Sequence, residues 1–144
     1  MKNLLLILII SIATNNIAQS WINIHVTKID YLKYSSHTGI AIPEIYLQKI
    51  KHVNTNYFID LKLKKIKVSF SNQADIFFEN VSIFELNNTY VINFLDVDRY
   101  GSTNKFFTSI YIDLQTNQVI YKEYNTTYRF VNKYKFIDFK ISKK

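Results

Sequence analysis

The side chains that most often carry out chemistry in proteins are few in this sequence, and their spacing matches no catalytic or metal site. The three histidines, His25, His37 and His52, are far apart and form no H-E-x-x-H pair, the spacing that places two ligands on one zinc ion. No cysteine is present, which excludes disulfides, zinc–thiolate sites and a thiol nucleophile. We therefore predict no metal site and no cofactor.

Motifs for catalysis are missing as well. The sequence contains no G-x-S-x-G nucleophile motif, no P-loop and no G-x-G-x-x-G turn. The segment from Asp96 to Gly101 begins like a calcium loop, but Phe107 stands at the twelfth position, where an EF-hand has a bidentate Glu. We interpret this segment as a polar loop between strands. The sequence favours binding over catalysis and nominates no catalytic residue.

Lysines form the strongest charge pattern in this basic chain, whose formal net charge is +7. One group lies between Lys62 and Lys67, and a second begins at Lys133; Tyr and Phe interleave with both. If the strands that carry them lie side by side, they form a basic face for an anionic polysaccharide or lipid. Strand lysines also keep an outer face soluble and discourage edge-to-edge pairing, so both interpretations stay open. The candidate binding residues are Lys62, Lys64, Lys65, Lys67, Lys133, Lys135, Tyr111 and Tyr121.

The first 20 residues have the features of a secretory signal peptide. Lys2 supplies a positive start, Leu4 to Ile12 form an apolar run, and Ala18-Gln19-Ser20 is a small-x-small cleavage pattern. The apolar run is about half the roughly 20 residues that a spanning helix needs. We predict cleavage of residues 1–20 and a single β domain over residues 21–144, located in a periplasm or outside the cell.

Short alternating segments follow one another from Trp21 to the end of the chain. Their connections are short, which favours antiparallel pairing of consecutive strands. We predict an all-β protein: an antiparallel meander of about 8–10 short strands that forms a closed or nearly closed barrel. Pro43 and Glu44 favour one short helix near 43–53, although Ile45, Leu47, Lys49 and Lys51 also alternate as in a strand. A β-sandwich, or an α+β sheet around that helix, are the alternatives.

The hairpin over residues 106–124 shows the strand pattern most clearly. The turn is predicted over Gln115 to Gln118, with Asn117 in the left-handed conformation that asparagine tolerates. This register places Ile112 opposite Ile120 on the core face and Tyr111 opposite Tyr121 on the other. A slip of one residue would exchange the two faces.

These observations predict a small exported binding protein that holds a hydrophobic or amphipathic ligand in a β-barrel. Eleven Phe and eleven Tyr would supply the ligand contacts and the core. The alternative is a structural or accessory envelope protein that contacts anionic polymer, lipid or a partner protein through a basic strand face. Export argues against nucleic acid as the partner. Strand order, oligomeric state and the identity of the ligand are not encoded in any pattern of the sequence.

Overall fold

Among the residues that the structure describes, nine β-strands form a single antiparallel sheet. The computed structural model describes residues 20–34, 45–97, 105–124 and 130–144, and this part of the chain contains no helix. Along the sheet the strands follow the order β4-β3-β2-β1-β9-β8-β7-β6-β5. The strands are β1 (Trp21–Tyr34), β2 (Ile45–Asp60), β3 (Lys65–Phe70), β4 (Gln73–Phe78), β5 (Ser82–Leu86), β6 (Thr89–Val97), β7 (Lys105–Asp113), β8 (Gln118–Tyr124) and β9 (Phe130–Lys143).

The connection between β4 and β5 requires the sheet to curl. These strands lie at opposite edges of the sheet, yet only residues 79–81 separate them in the chain. The four Cα steps from Phe78 to Ser82 span at most about 14 Å, whereas eight strand spacings in a flat sheet would span about 38 Å. The edges must therefore approach each other, which confirms the predicted all-β, nearly closed barrel.

The barrel remains open along a seam between β4 and β5. Each neighbouring pair in the sheet is antiparallel, so the strand direction reverses at every pairing. β4 is three pairings from β1 and β5 is five, and because both numbers are odd, β4 and β5 run in the same direction. They therefore act as one interrupted strand with a step at Asn80, whose φ is 58°. Side chains close the seam: the ring centroids of Phe78 on β4 and Phe94 on β6 are 4.5 Å apart.

The barrel has two different ends. At the closed end lie the β2–β3, β5–β6 and β7–β8 turns, the start of β1 and the end of β9. Trp21 and Lys144 exchange two backbone hydrogen bonds of 3.0 Å there. Inside this end, Lys143 Nζ donates to Tyr90 Oη, which donates to Glu85 Oε1. Four other connections, including the β3–β4 turn, join strands at the opposite end, which we call the open end; the remaining β4–β5 connection crosses the seam.

Alternation along the strands builds the core. One side chain in two faces the barrel interior, as the period-2 pattern predicts, and the closed half of the interior is filled by branched aliphatic residues. This packing excludes a ligand from the closed half. The fully buried aliphatic side chains include Ile22, Ile24, Val26, Ile59, Ile66, Val68, Ile92, Ile110, Ile112 and Val119.

The predicted helix near 43–53 is wrong. Residues 45–53 belong to β2, where Lys51 pairs with Ile29 and Leu47 with Lys33; Pro43 and Glu44 lie outside the described residues. Pairing with β1 outweighs the weak helix signal of a single Pro-Glu step, because propensity is a small term beside a complete hydrogen-bond ladder. Strand β9 is continuous through Asn132 and Lys133. The predicted signal peptide lies, up to residue 19, outside the described residues.

The β7–β8 hairpin has the predicted turn residue but a register shifted by one. Asn117 has a φ of 52°, which confirms the left-handed position. However, Tyr111 pairs with Ile120, and Tyr121 pairs with Ile110. The cause is the turn, which starts one residue earlier, at Leu114: the Asp113 carboxylate accepts hydrogen bonds from two turn amides. Tyr121 consequently faces the interior, whereas Tyr111 faces outward.

Candidate functional site

In the open half of the barrel, the inward-facing side chains are aromatic and polar, whereas those of the closed half are branched and aliphatic. Register brings them together from β1, β2, β8 and β9: Tyr121 pairs with Tyr134, and Tyr134 with Tyr31. Most of these side chains are half-buried, whereas those of the closed half are fully buried. We call this set the cup; it consists of Tyr31, Tyr57, Tyr121, Glu123, Asn132 and Tyr134.

A chain of hydrogen bonds crosses three strands in the cup. Tyr31 Oη donates to Asn132 Oδ1 at 3.0 Å, and Asn132 Nδ2 donates to Glu123 Oε2 at 2.7 Å. Tyr134 Oη donates to the same Glu123 oxygen at 3.3 Å. These bonds hold the Glu123 carboxylate in a fixed position on the inner wall, where it can accept hydrogen bonds.

Aromatic rings form the walls around this carboxylate. The ring centroids of Tyr134 are 5.1 Å from Tyr31 and 5.3 Å from Tyr121, and Tyr57 is 6.2 Å from Tyr121. Lys51 Nζ lies 4.1 Å from the centre of the Tyr31 ring, in cation–π contact. Each tyrosine presents an apolar ring with a polar tip, so the cup combines apolar contact area with hydrogen-bonding groups.

The tyrosine hydroxyls in the cup remain protonated at neutral pH. Burial raises the pKa of Tyr134, and the nearby Glu123 charge raises it further. The same two causes, in the same order, raise the pKa of Tyr31. Burial also raises the pKa of Tyr121 well above its ordinary value. Neutral hydroxyls are donors, and Tyr134 Oη accordingly donates to Glu123 Oε2.

Two further polar side chains face inward next to the cup. Thr108 pairs with Glu123 across β7 and β8, and it is completely buried. Its Oγ1 forms no hydrogen bond of normal geometry with a described residue; a weak side-chain interaction with the Tyr121 hydroxyl slightly opposes the rise in pKa that burial causes there. Asp96 is buried on β6 rather than exposed in a loop. No group of three or more His, Cys, Asp or Glu side chains that could hold a metal ion is found within the described ranges.

The lysines singled out from the sequence do not converge on one surface. Lys62 and Lys64 lie in the β2–β3 turn, and the next two lysines are on β3, where Lys65 pairs with Glu79 at 2.8 Å. Lys67 likewise pairs with Asp75 at 2.7 Å. Lys133 and Lys135 are on β9, which β1 and β2 separate from β3. The two groups therefore lack the side-by-side arrangement on which a single basic face depended.

The sequence nominated only Tyr121 of the cup, and on the assumption that it faced outward. Glu123, which the sequence did not nominate, lies in a recognisable pattern: Val119, Tyr121 and Glu123 are alternate residues of one strand and share one face. Once the register shows that this face points inward, the pattern indicates an inward-facing carboxylate. Asn132 and Tyr134 lie on the next strand along the chain, whereas Tyr31 lies too far away in sequence for any local pattern to bring it to them.

Comparison with protein-family models, with curated proteins and with solved structures finds no match. Among the described residues, no helix is long and apolar enough to span a membrane. The functional argument therefore depends on the geometry of the chain itself.

Proposed function

We propose that this protein is an exported binding protein that holds a small amphipathic molecule in the cup. The observation that carries the proposal is the Glu123 carboxylate, fixed by Asn132 and Tyr134 between aromatic walls at the open end of a barrel that is filled elsewhere. Ligand pockets typically combine apolar walls with a few fixed polar groups.

The chemistry of the cup indicates which ligand it would suit. The rings of Tyr31, Tyr57 and Tyr134 offer flat apolar surfaces to a ring or a short alkyl segment. Glu123 can accept only from a donor, so the polar end of the ligand should be a hydroxyl or an amine. An anionic end would face the Glu123 charge directly and would be rejected.

Native mass spectrometry of the protein purified from the cells that produce it tests this proposal. A discrete mass excess that disappears on denaturation is the expected result, and its value would lead to the ligand. Bare protein mass, even after incubation with a small-molecule extract of the same cells, would refute the proposal.

Matched variants assign a bound molecule to the cup. Glu123→Gln keeps the size of the side chain but removes the charge and one acceptor position, and it should weaken binding about 10- to 100-fold. Glu79→Gln makes the same chemical change on the outer surface, where Glu79 contacts Lys65, and should leave binding unchanged. Equal loss in both variants would place the bound molecule elsewhere.

A further inference from the structure

An exposed apolar surface surrounds the seam at the closed end of the barrel. A groove of about 390 Å³ lies there, with Phe58, Leu63 and Phe77 among its lining residues. Leu63 is 64% exposed and Phe77 67% exposed, and Leu86, the last residue of β5, is 73% exposed. Large apolar side chains clustered on a surface commonly mark a contact site.

The β2–β3 turn presents Leu63 at its tip between two lysines. Asp60 Oδ1 accepts hydrogen bonds from the backbone amides of Lys62 and Leu63, at 3.0 and 2.7 Å, and Lys64 has a φ of 52°. These bonds fix the turn so that Leu63 projects outward. Neither Lys62 nor Lys64 has an ion pair with a described residue, whereas the neighbouring Lys65 is paired with Glu79. The tip thus carries an apolar side chain with two uncompensated positive charges beside it.

The chain reaches this same end from its apolar N-terminal segment. Leu61 N donates a 3.0 Å hydrogen bond to Ser20 O, which places Ser20 beside the turn. In the sequence, the apolar run from Leu4 to Ile12 precedes Ser20 by fewer than ten residues. The Trp21 ring lies 5.7 Å from that of Phe58, one of the groove residues. The part of the chain that follows the predicted cleavage site, Trp21 first, therefore begins at the closed end.

We propose that the closed end docks on an anionic lipid bilayer. Leu63 and Phe77 would enter the boundary between headgroups and acyl chains, while Lys62 and Lys64 contact lipid phosphates. A bilayer suits this surface because it accepts apolar tips and cations together, without requiring a shaped partner. The cup lies at the opposite end, so the bilayer would leave it accessible. This inference is independent of the proposed ligand, and either one can fail alone.

Vesicle co-sedimentation tests the docking surface. The protein purified from its own cells would be mixed with vesicles of phosphatidylcholine alone, or of equal parts phosphatidylcholine and phosphatidylglycerol. The double substitution Lys62→Gln/Lys64→Gln should lower the partition coefficient on anionic vesicles about 30-fold. Leu63→Ser should lower it about tenfold, because the Leu63 side chain can no longer enter the apolar boundary. Denatured-state mass spectrometry would verify that all variants begin at the same residue.

Two control variants make the same chemical changes elsewhere. Lys133→Gln/Lys135→Gln removes two charges from β9, and Leu95→Ser removes an apolar side chain that is 52% exposed on β6. Both should bind anionic vesicles like the unchanged protein. Equal losses in test and control variants, no loss in the test variants, or no preference for anionic vesicles would each overturn the proposal. The lysine pair lies on an exposed turn, so its substitution keeps the test valid if Leu63→Ser unfolds.

Discussion

Truncation of Phe78 should open the seam, whereas truncation of its neighbour Phe77 should not. The two residues are adjacent on β4, but Phe78 faces inward with 8% exposure and Phe77 faces outward with 67%. β4 is hydrogen-bonded to β3 on one side. On its other side, the Phe78–Phe94 ring contact holds it against the barrel. The pair of variants therefore separates closure by side chains from the general effect of losing an aromatic ring.

The magnitudes follow from burial. Replacing a buried Phe by Ala costs about 3–5 kcal/mol, from lost transfer free energy and the cavity left behind. Phe77 has about a third of its surface buried, so Phe77→Ala should cost at most about 1 kcal/mol. For a domain of ordinary stability, about 5–15 kcal/mol, the first loss is a large fraction and the second a small one.

Urea unfolding of both variants, followed by tyrosine and tryptophan fluorescence, measures these free energies. Hydrogen exchange adds a local measurement. In Phe78→Ala, the backbone amides of β4 that are hydrogen-bonded to β3 should exchange faster than the backbone amides that are hydrogen-bonded between β1 and β9. Equal destabilisation by the two substitutions would refute the reasoning, because it would mean that the Phe78 ring does not close the seam.

Three further predictions concern single side chains. Thr108→Val should raise the free energy of unfolding by about 1–2 kcal/mol, because the buried Thr108 hydroxyl lacks a normal hydrogen bond. Thr27→Val should lower the free energy of unfolding by about 1 kcal/mol, because it removes the hydrogen bond from Thr27 to Asp138. Urea unfolding measures both values. Burial raises the pKa of Tyr134. The neutral Tyr134 side chain therefore stabilises the fold fully below about pH 10, and this contribution is lost as the pH rises further. Tyr134→Phe should unfold at a higher pH than the unchanged protein, as followed by circular dichroism. A hydrogen bond with the Thr116 hydroxyl lowers the pKa of Asp113. The Asp113 carboxylate therefore stabilises the fold above about pH 4, and this stabilisation is lost as the pH falls through the pKa of Asp113 in the folded protein. In Asp113→Asn the free energy of unfolding, measured in urea, should fall less steeply as the pH is lowered.

Strand positions were predictable because they depend on local patterns. In the sequence, two residues that tolerate positive φ, Asn87 and Asn88, precede an alternating segment over Thr89–Val97; that segment is strand β6, and both asparagines adopt positive φ. Register was less predictable. A turn that starts one residue earlier leaves the alternation intact but changes which face is buried, and only the capping of turn amides by Asp113 decides between the two.

The candidate site could not be predicted, because its parts meet only through strand order. Tyr31 and Tyr134 are more than 100 residues apart, and they touch because β9 inserts between β1 and β8. The same strand order separates the lysines of β3 from those of β9. A pattern in sequence reports which side chains of a strand share a face, but it does not report which strands are neighbours.

The pairing of β1 with β9 has a consequence for when this protein can fold. The first and last strands are neighbours, so the ladder that joins the two halves of the sheet cannot form until residues 130–143 are available. Contacts so distant in sequence carry a large loop-closure cost, which slows folding. A chain still emerging from the ribosome would thus stay uncommitted until β9 has been synthesised. Under the export proposed above, this delay would keep the chain extended and competent for transport.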